Sequence, residues 1–247
     1  MVWTVADLRA LAAVAVGPSE IVYAFVSLLG QPSPADEALL DDEETVRAHA
    51  FARPADRYRF VLAHAALRLL LGRCLGVPPE EVAYELGPHG KPGLHAEGSA
   101  PEFNLSHSGE LGLVAISRGP AVGVDVEQER ELTELLEIAD QQFSAEERVA
   151  LRALPAAEQP AAFFRCWTRK EAVIKAGGEG LGYPLGSFDV ELAPGSLSAL
   201  TRYGGRTGAD LEVSLRDLGA PAGYAAAGAV MVPPSAGVPW RELGGRG

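Results

Sequence analysis

Residues 163–181, FFRCWTRKEAVIKAGGEGL, constrain the fold more than any other part of the 247-residue chain. At 3.6 residues per turn, Phe164, Trp167, Glu171 and Lys175 fall on one narrow helical face, flanked by Phe163 and Ile174. The charges therefore sit inside the apolar stripe. As a solvated i, i+4 pair, Glu171 and Lys175 contribute only about 0.2–0.5 kcal/mol, and Phe164 and Trp167 are then exposed beside them. If the face is buried instead, unpaired charges there are costly. A site that takes a metal ion and a phosphate removes both difficulties. Gly177, Gly178, Gly180 and Gly182 follow. A left-handed helix cap needs one of the first two, and the surplus permits close approach of backbone to a neighbour.

A second stretch, VGVDVEQ, alternates like a strand, with Asp125 and Glu127 on one face and Val122, Val124 and Val126 on the other. An edge strand with its polar face in water accounts for the pattern, and so does a magnesium site, because that hard cation takes carboxylate oxygens plus substrate phosphates. With the helix packed over the strand, Glu171 becomes a third carboxylate, and Lys170 or Lys175 neutralises bound phosphate. The stretch FNLSHSG brings Ser106 and His107 just upstream of a strand. Adjacent Ser and His do not define a hydrolytic triad with Asp125, and no G-x-S-x-G elbow occurs. His107 is the more economical as a phosphate contact. In GKPGL, Lys91 stands between Gly90 and Pro92 in a turn.

A hydrophobic content of 47% is enough for a real core, in one large domain or two small lobes. Pro18, Ser19 and Glu20 interrupt the N-terminal apolar run, so neither a targeting signal nor a membrane span is expected. Cys74 and Cys166 lie in apolar helical patterns without C-x-x-C spacing, which predicts reduced thiols and a cytoplasmic protein. The net charge of −12 argues against nucleic acid as a partner and makes any phosphate site local.

Patterning predicts a buried strand in EIVYAFVSLL, one helix over residues 35–50, and another from Pro54 that stops at Gly76. Strands follow in ELGLVAISRG and AVGVDVEQ, then helices in residues 131–143 and 144–154, the second opened by a Ser144/Glu147 capping box. After the charged helix, SFDVEL, LEVSLRDL and YAAAGAVMV read as strands. The expected class is α+β, with two similar α/β lobes over residues 1–118 and 119–247 and a frayed tail after Pro233.

In order, GKPGL, FNLSHSG, VGVDVE and WTRKEAVIKAGGEGL resemble the 4′-phosphopantetheinyl transferases, in their larger two-lobed, surfactin-synthetase-activating branch. The resemblance runs from FARPADRYRF to SFDVEL, most of the chain. It implies a holo-carrier-protein synthase that moves phosphopantetheine from coenzyme A to a serine of an apo acyl or peptidyl carrier protein, releasing adenosine 3′,5′-bisphosphate. It also implies a pseudo-twofold monomer with the active site in the cleft between its lobes. By the same resemblance, Asp125 and Glu171 are the main ligands of magnesium or manganese, and Glu127 is a third. Lys175 contacts the pyrophosphate; on physical grounds Glu171, within reach of the carrier serine, is expected to accept its proton directly or through a water. Lys170 belongs to the same motif. His107, Ser106 and Lys91 form the nucleotide edge, joined by Arg53 and Arg59, while Trp167 buttresses the helix. The branch serves polyketide and nonribosomal-peptide carriers as well as fatty-acid ones.

Two rivals use the same residues. A magnesium-dependent nucleotide or phosphodiester hydrolase takes water as acceptor, and a binding module performs no turnover. Since carriers of this kind are acidic like this chain, docking is expected at a local basic or apolar patch, within residues 129–143 or 143–152.

Overall fold

The computed structural model describes residues 1–87, 89–94, 100–178, 180, 182–195, 200–203, 206–207, 212–233 and 236–244. Along the chain come β1 (Val2–Trp3), α1 (Val5–Ala10), β2 (Ile21–Ser27), α2 (Pro34–Glu37), α3 (Asp42–His49), α4 (Pro54–Leu75), β3 (Tyr84–Leu86), β4 (Pro92–Leu94), β5 (Glu102–Ser108) and β6 (Leu111–Ser117). Then follow β7 (Val122–Gln128), α5 (Leu135–Gln142), α6 (Ala145–Ala153), α7 (Gln159–Gly177), β8 (Asp189–Val190), β9 (Leu200–Tyr203), β10 (Arg206–Thr207), β11 (Ser214–Asp217), β12 (Tyr224–Val230) and β13 (Trp240–Glu242). The class is mixed α and β, with several separate sheets.

The chain divides into two compact units: Met1–Glu85 with Pro92–Gly119 and Pro239–Gly247, and Leu86–Lys91 with Pro120–Val238. In the first unit, the sheet runs β1-β2-β6-β5, and β13 pairs parallel to β2. Within the tail expected to fray, Trp240–Glu242 form a strand, with Ile21 donating its N–H to the Pro239 carbonyl beside it. β2 and β6 are buried along nearly their whole length. Leucines of α4, among them Leu62, Leu67, Leu70 and Leu71, close the core over Val22, Ala24, Val114 and Ile116. Helix α4 begins with Pro54, whose missing N–H costs nothing in a first turn, and stops at Gly76, which takes φ 74°.

Residues 35–50, expected as one helix, form two. Asp41 accepts the Glu44 N–H at 2.8 Å, and the Glu44 carboxylate returns the bond to the Asp41 N–H, a capping box that starts a new helix. The Ser106/His107 segment lies just upstream of β6, as expected. It is itself strand β5, paired antiparallel with β6 so that His107 lies opposite Gly112.

Glu44 is then put to a second use. Its side chain is buried and takes hydrogen bonds from His64 Nδ1 at 2.6 Å, Arg68 Nε at 2.6 Å and the Tyr84 hydroxyl. Arg68, itself buried, also donates to Asp41 and to the Val82 carbonyl. Burial pushes the Glu44 carboxyl up, but the hydrogen bond and charge of His64, the Tyr84 hydroxyl and the Arg68 charge outweigh it. The group is held down from 4.5 to about 2.

Because the folded value lies below the unfolded one, this stabilisation is complete above about pH 5 and drains away as the pH falls through 2. Glu44→Gln should therefore lower the unfolding free energy by about 3 kcal/mol near neutral pH, with the gap to the parent protein narrowing in acid. Urea unfolding at neutral pH and near pH 3 checks both the size and the sign.

Candidate active site

In the second unit, β12 lies between β11 and β7, all antiparallel. Helix α7 covers this sheet. Ala227 and Ala229 keep β12 low beneath it, with Phe164, Val173 and Ile174 in the same core. The closest approach is at Gly123 of β7. A Cβ there would stand 2.2 Å from the Ala176 nitrogen and 2.3 Å from the Ala172 oxygen, inside any real contact distance. Strand alternation puts Gly123, Asp125 and Glu127 on one face, so the glycine that admits the helix also aims both carboxylates at it.

The result gathers four of the expected side chains. Lys175 Nζ lies 2.6 Å from Asp125 Oδ1, and Asp125 and Glu171 are both buried. Burial raises the Glu171 carboxyl above its ordinary value. Lys175 pulls it back, and the nearby charges of Asp125 and Glu127 push it up again. Three carboxylates on two rigid elements, with one ammonium among them, form a hard-oxygen donor set whose mutual repulsion a divalent cation would relieve, so the residues fit such an ion. Among the described residues, no group of three or more His, Cys, Asp or Glu side chains is placed to hold a metal ion, so the fit is one of donor chemistry alone.

Lys170 is a correction. Its side chain is fully buried, and its Nζ meets the Leu185 and Phe188 carbonyls at 2.7 Å each and Glu147 Oε1 at 2.8 Å, lying over the Phe188 ring. An ammonium has three donors, and these partners use all of them, so no phosphate contact is left to it. Glu147 is the N3 residue of the α6 capping box and also accepts the Val190 N–H at 2.8 Å. Lys170 therefore ties α7 to α6 and β8. Arg169, also buried, makes two 2.7 Å bonds to Asp217 of β11. Neighbours on a helix are turned by about 100°, so residues 169, 170 and 171 address three different surroundings.

Trp167 stacks on Phe163, centroids 5.9 Å apart, as the expected buttress. It also lines a hollow of about 210 Å³ with Glu127, Arg130, Leu132, Ile138 and Phe164, which sequence reading missed. Gly178 is the left-handed cap of α7, at φ 70°. The Lys91 ammonium lies 3.2 Å from both the Val122 and the Ala176 carbonyls. Ser106, His107, Arg53 and Arg59 belong to the first unit. There Ser106 is buried and His107 exposed on β5, Arg53 precedes α4, and Arg59 pairs with Asp56 at 2.9 Å.

Comparison with known proteins places these residues in a family context. A family model described as the 4′-phosphopantetheinyl transferase superfamily matches residues 121–228, the stretch that holds β7 and α7. HetI, a 4′-phosphopantetheinyl transferase of Nostoc, is 38% identical over 159 residues, 64% of this chain and 67% of its own. The putative 4′-phosphopantetheinyl transferase slr0495 of Synechocystis is 37% identical over 149 residues, 60% of this chain and 61% of its own. Sfp, a 4′-phosphopantetheinyl transferase of Bacillus subtilis, is 31% identical over 155 residues, 63% of this chain and 67% of its own. The chain thus spans about three fifths to two thirds of the length of these curated relatives.

Two substitutions test the geometry. Gly123→Ala should destabilise the second unit by about 3 kcal/mol or more, since the clash is with helix backbone that cannot rotate away. Lys170→Met should cost about 3–5 kcal/mol by stranding the buried Glu147, seen as a loss of thermal stability.

Proposed function

The chain belongs to the 4′-phosphopantetheinyl transferase superfamily, and from that premise we propose that it transfers 4′-phosphopantetheine from coenzyme A to a serine hydroxyl of an apo acyl or peptidyl carrier protein. What supports the reading is one observation: Asp125, Glu171 and Lys175 converge on the β7/α7 contact, inside the segment that the family model matches.

Asp125, Glu127 and Glu171 would hold magnesium, with manganese as the alternative ion. A divalent cation bound there supplies charge stabilisation for the pyrophosphate oxygens as the phosphoanhydride opens. The Glu171 carboxylate takes the proton from the carrier serine Oγ, directly or through a water. The serine oxygen bonds to the phosphorus next to the pantetheine, and the bridging P–O bond breaks. Adenosine 3′,5′-bisphosphate leaves with the electron pair. Lys175 offsets the negative charge that gathers on this leaving phosphate. Ser106, His107, Arg53 and Arg59 contact the nucleotide phosphates in this reading. The pseudo-twofold monomer with coenzyme A held between two lobes rests on the family resemblance and is part of the same proposal, as is action in the cytoplasm.

Intact-mass spectrometry of apo carrier proteins incubated with the protein, coenzyme A and magnesium should show a gain of one phosphopantetheine, abolished by EDTA. Coenzyme A cleaved with every carrier unmodified would replace the transferase with a hydrolase. Glu171→Gln should reduce kcat/KM by roughly 10²–10⁴ while the protein stays folded.

A further inference from the structure

Lys91 and the glycines after α7 form one device. The turn Gly87–Lys91 is closed by the Gly87 N–H on the Lys91 carbonyl at 2.8 Å and the Gly90 N–H on the Gly87 carbonyl at 2.9 Å. Gly90 takes φ 82°, a conformation that glycine adopts without strain, and Pro92 disfavours helical backbone at the preceding residue. The side chain leaves this turn in a set direction and runs past the α7 cap, where a Cβ on Gly178 would lie 3.6 Å from Lys91 Cδ. Gly180, at φ 74°, comes so close to the turn that a Cβ on it would stand 3.1 Å from His89 Cβ. Gly180, beyond the glycine needed for the cap, thus has a neighbour to approach.

The ammonium ends between two carbonyls, Val122 and Ala176, at 3.2 Å from each. Val122 precedes Gly123, and Ala176 follows Lys175 and is the residue whose nitrogen stands over Gly123. Lys91 therefore bridges strand and helix at the contact that brings Asp125 to Lys175 and Glu171. A cation is also well matched to the last carbonyls of a helix, where the backbone dipoles leave negative charge.

We infer that Lys91 is a positioning residue, a staple that holds the end of α7 to the start of β7 and so fixes the reacting groups. The catalytic half of this inference rests on the transferase reading, and the structural half does not.

Lys91→Met and Lys91→Arg, made in the full chain, separate the possibilities. Hydrogen exchange should speed up by about tenfold across residues 174–178 in Lys91→Met, with the β2 and β6 amides unchanged, whatever reaction the protein performs. In carrier modification, kcat should fall by about tenfold while KM for coenzyme A stays within about twofold, the signature of lost alignment. Lys91→Arg keeps donors for both carbonyls and should retain most of the protection. Parent-like exchange in Lys91→Met, or a tenfold rise in KM with kcat intact, overturns the staple. If Lys91→Met does not fold, Lys91→Arg carries the test, and failure to fold or loss of protection there overturns it as well. Altered exchange in a protein that modifies no carrier would keep the staple and reject the transferase.

Discussion

Everything in the second unit hangs on how near α7 comes to β7, and that distance is set by the absence of one carbon atom. With any side chain at Gly123, the helix backbone at Ala172 and Ala176 would have to lift off the strand. Lifting it separates Asp125 from Lys175, now 2.6 Å apart, and from Glu171. Close packing thus serves chemistry as well as stability. A glycine inside a strand normally weakens it, and here the loss is recovered by the helix contacts that the gap allows.

Helix α7 carries charge on several sides, and the structure sorts those charges by what each must satisfy. Arg169 and Lys170 are wholly buried, and their donors end on carbonyls, Asp217 and Glu147. Such pairs hold the helix in one rotational setting, since truncating one partner strands the other in low dielectric. Glu171 is treated differently. Lys175 lowers its proton affinity, yet burial and two neighbouring carboxylates keep the net shift upward. The helix is anchored through Arg169 and Lys170, while Glu171 stands among charges that oppose its ionisation.

Much of this could be read in the sequence, for reasons tied to particular residues. Helix α4 was legible because Pro54 and Gly76 punctuate a long apolar run, and β7 because its valines alternate with polar residues. The charged stripe on α7 pointed to Glu171 and Lys175 because no ordinary surface or core accepts that pattern. Periodicity missed the break at Asp41, although its capping box with Glu44 is written in the sequence, and it missed the short strand β13, whose pairing with β2 is decided by a distant partner. Lys170 was misread because a motif lysine looks the same whether it faces solvent or a buried glutamate. Only the position of Glu147, on a separate helix, decides between them.

The glycines make the same point in the other direction. Four of them at and beyond the end of α7 signalled a close approach without saying to what, and GKP signalled a turn without saying against what. Each motif is the other's missing neighbour: Gly180 makes room for His89, and the turn delivers Lys91 to the last carbonyls of the helix. A backbone carbonyl cannot be mutated away, so a lysine directed at two of them ties strand to helix independently of which side chains line the site. The same chain segment can then keep its geometry while the carboxylates beside it serve the reaction, which is what a site built from mutually repelling groups requires.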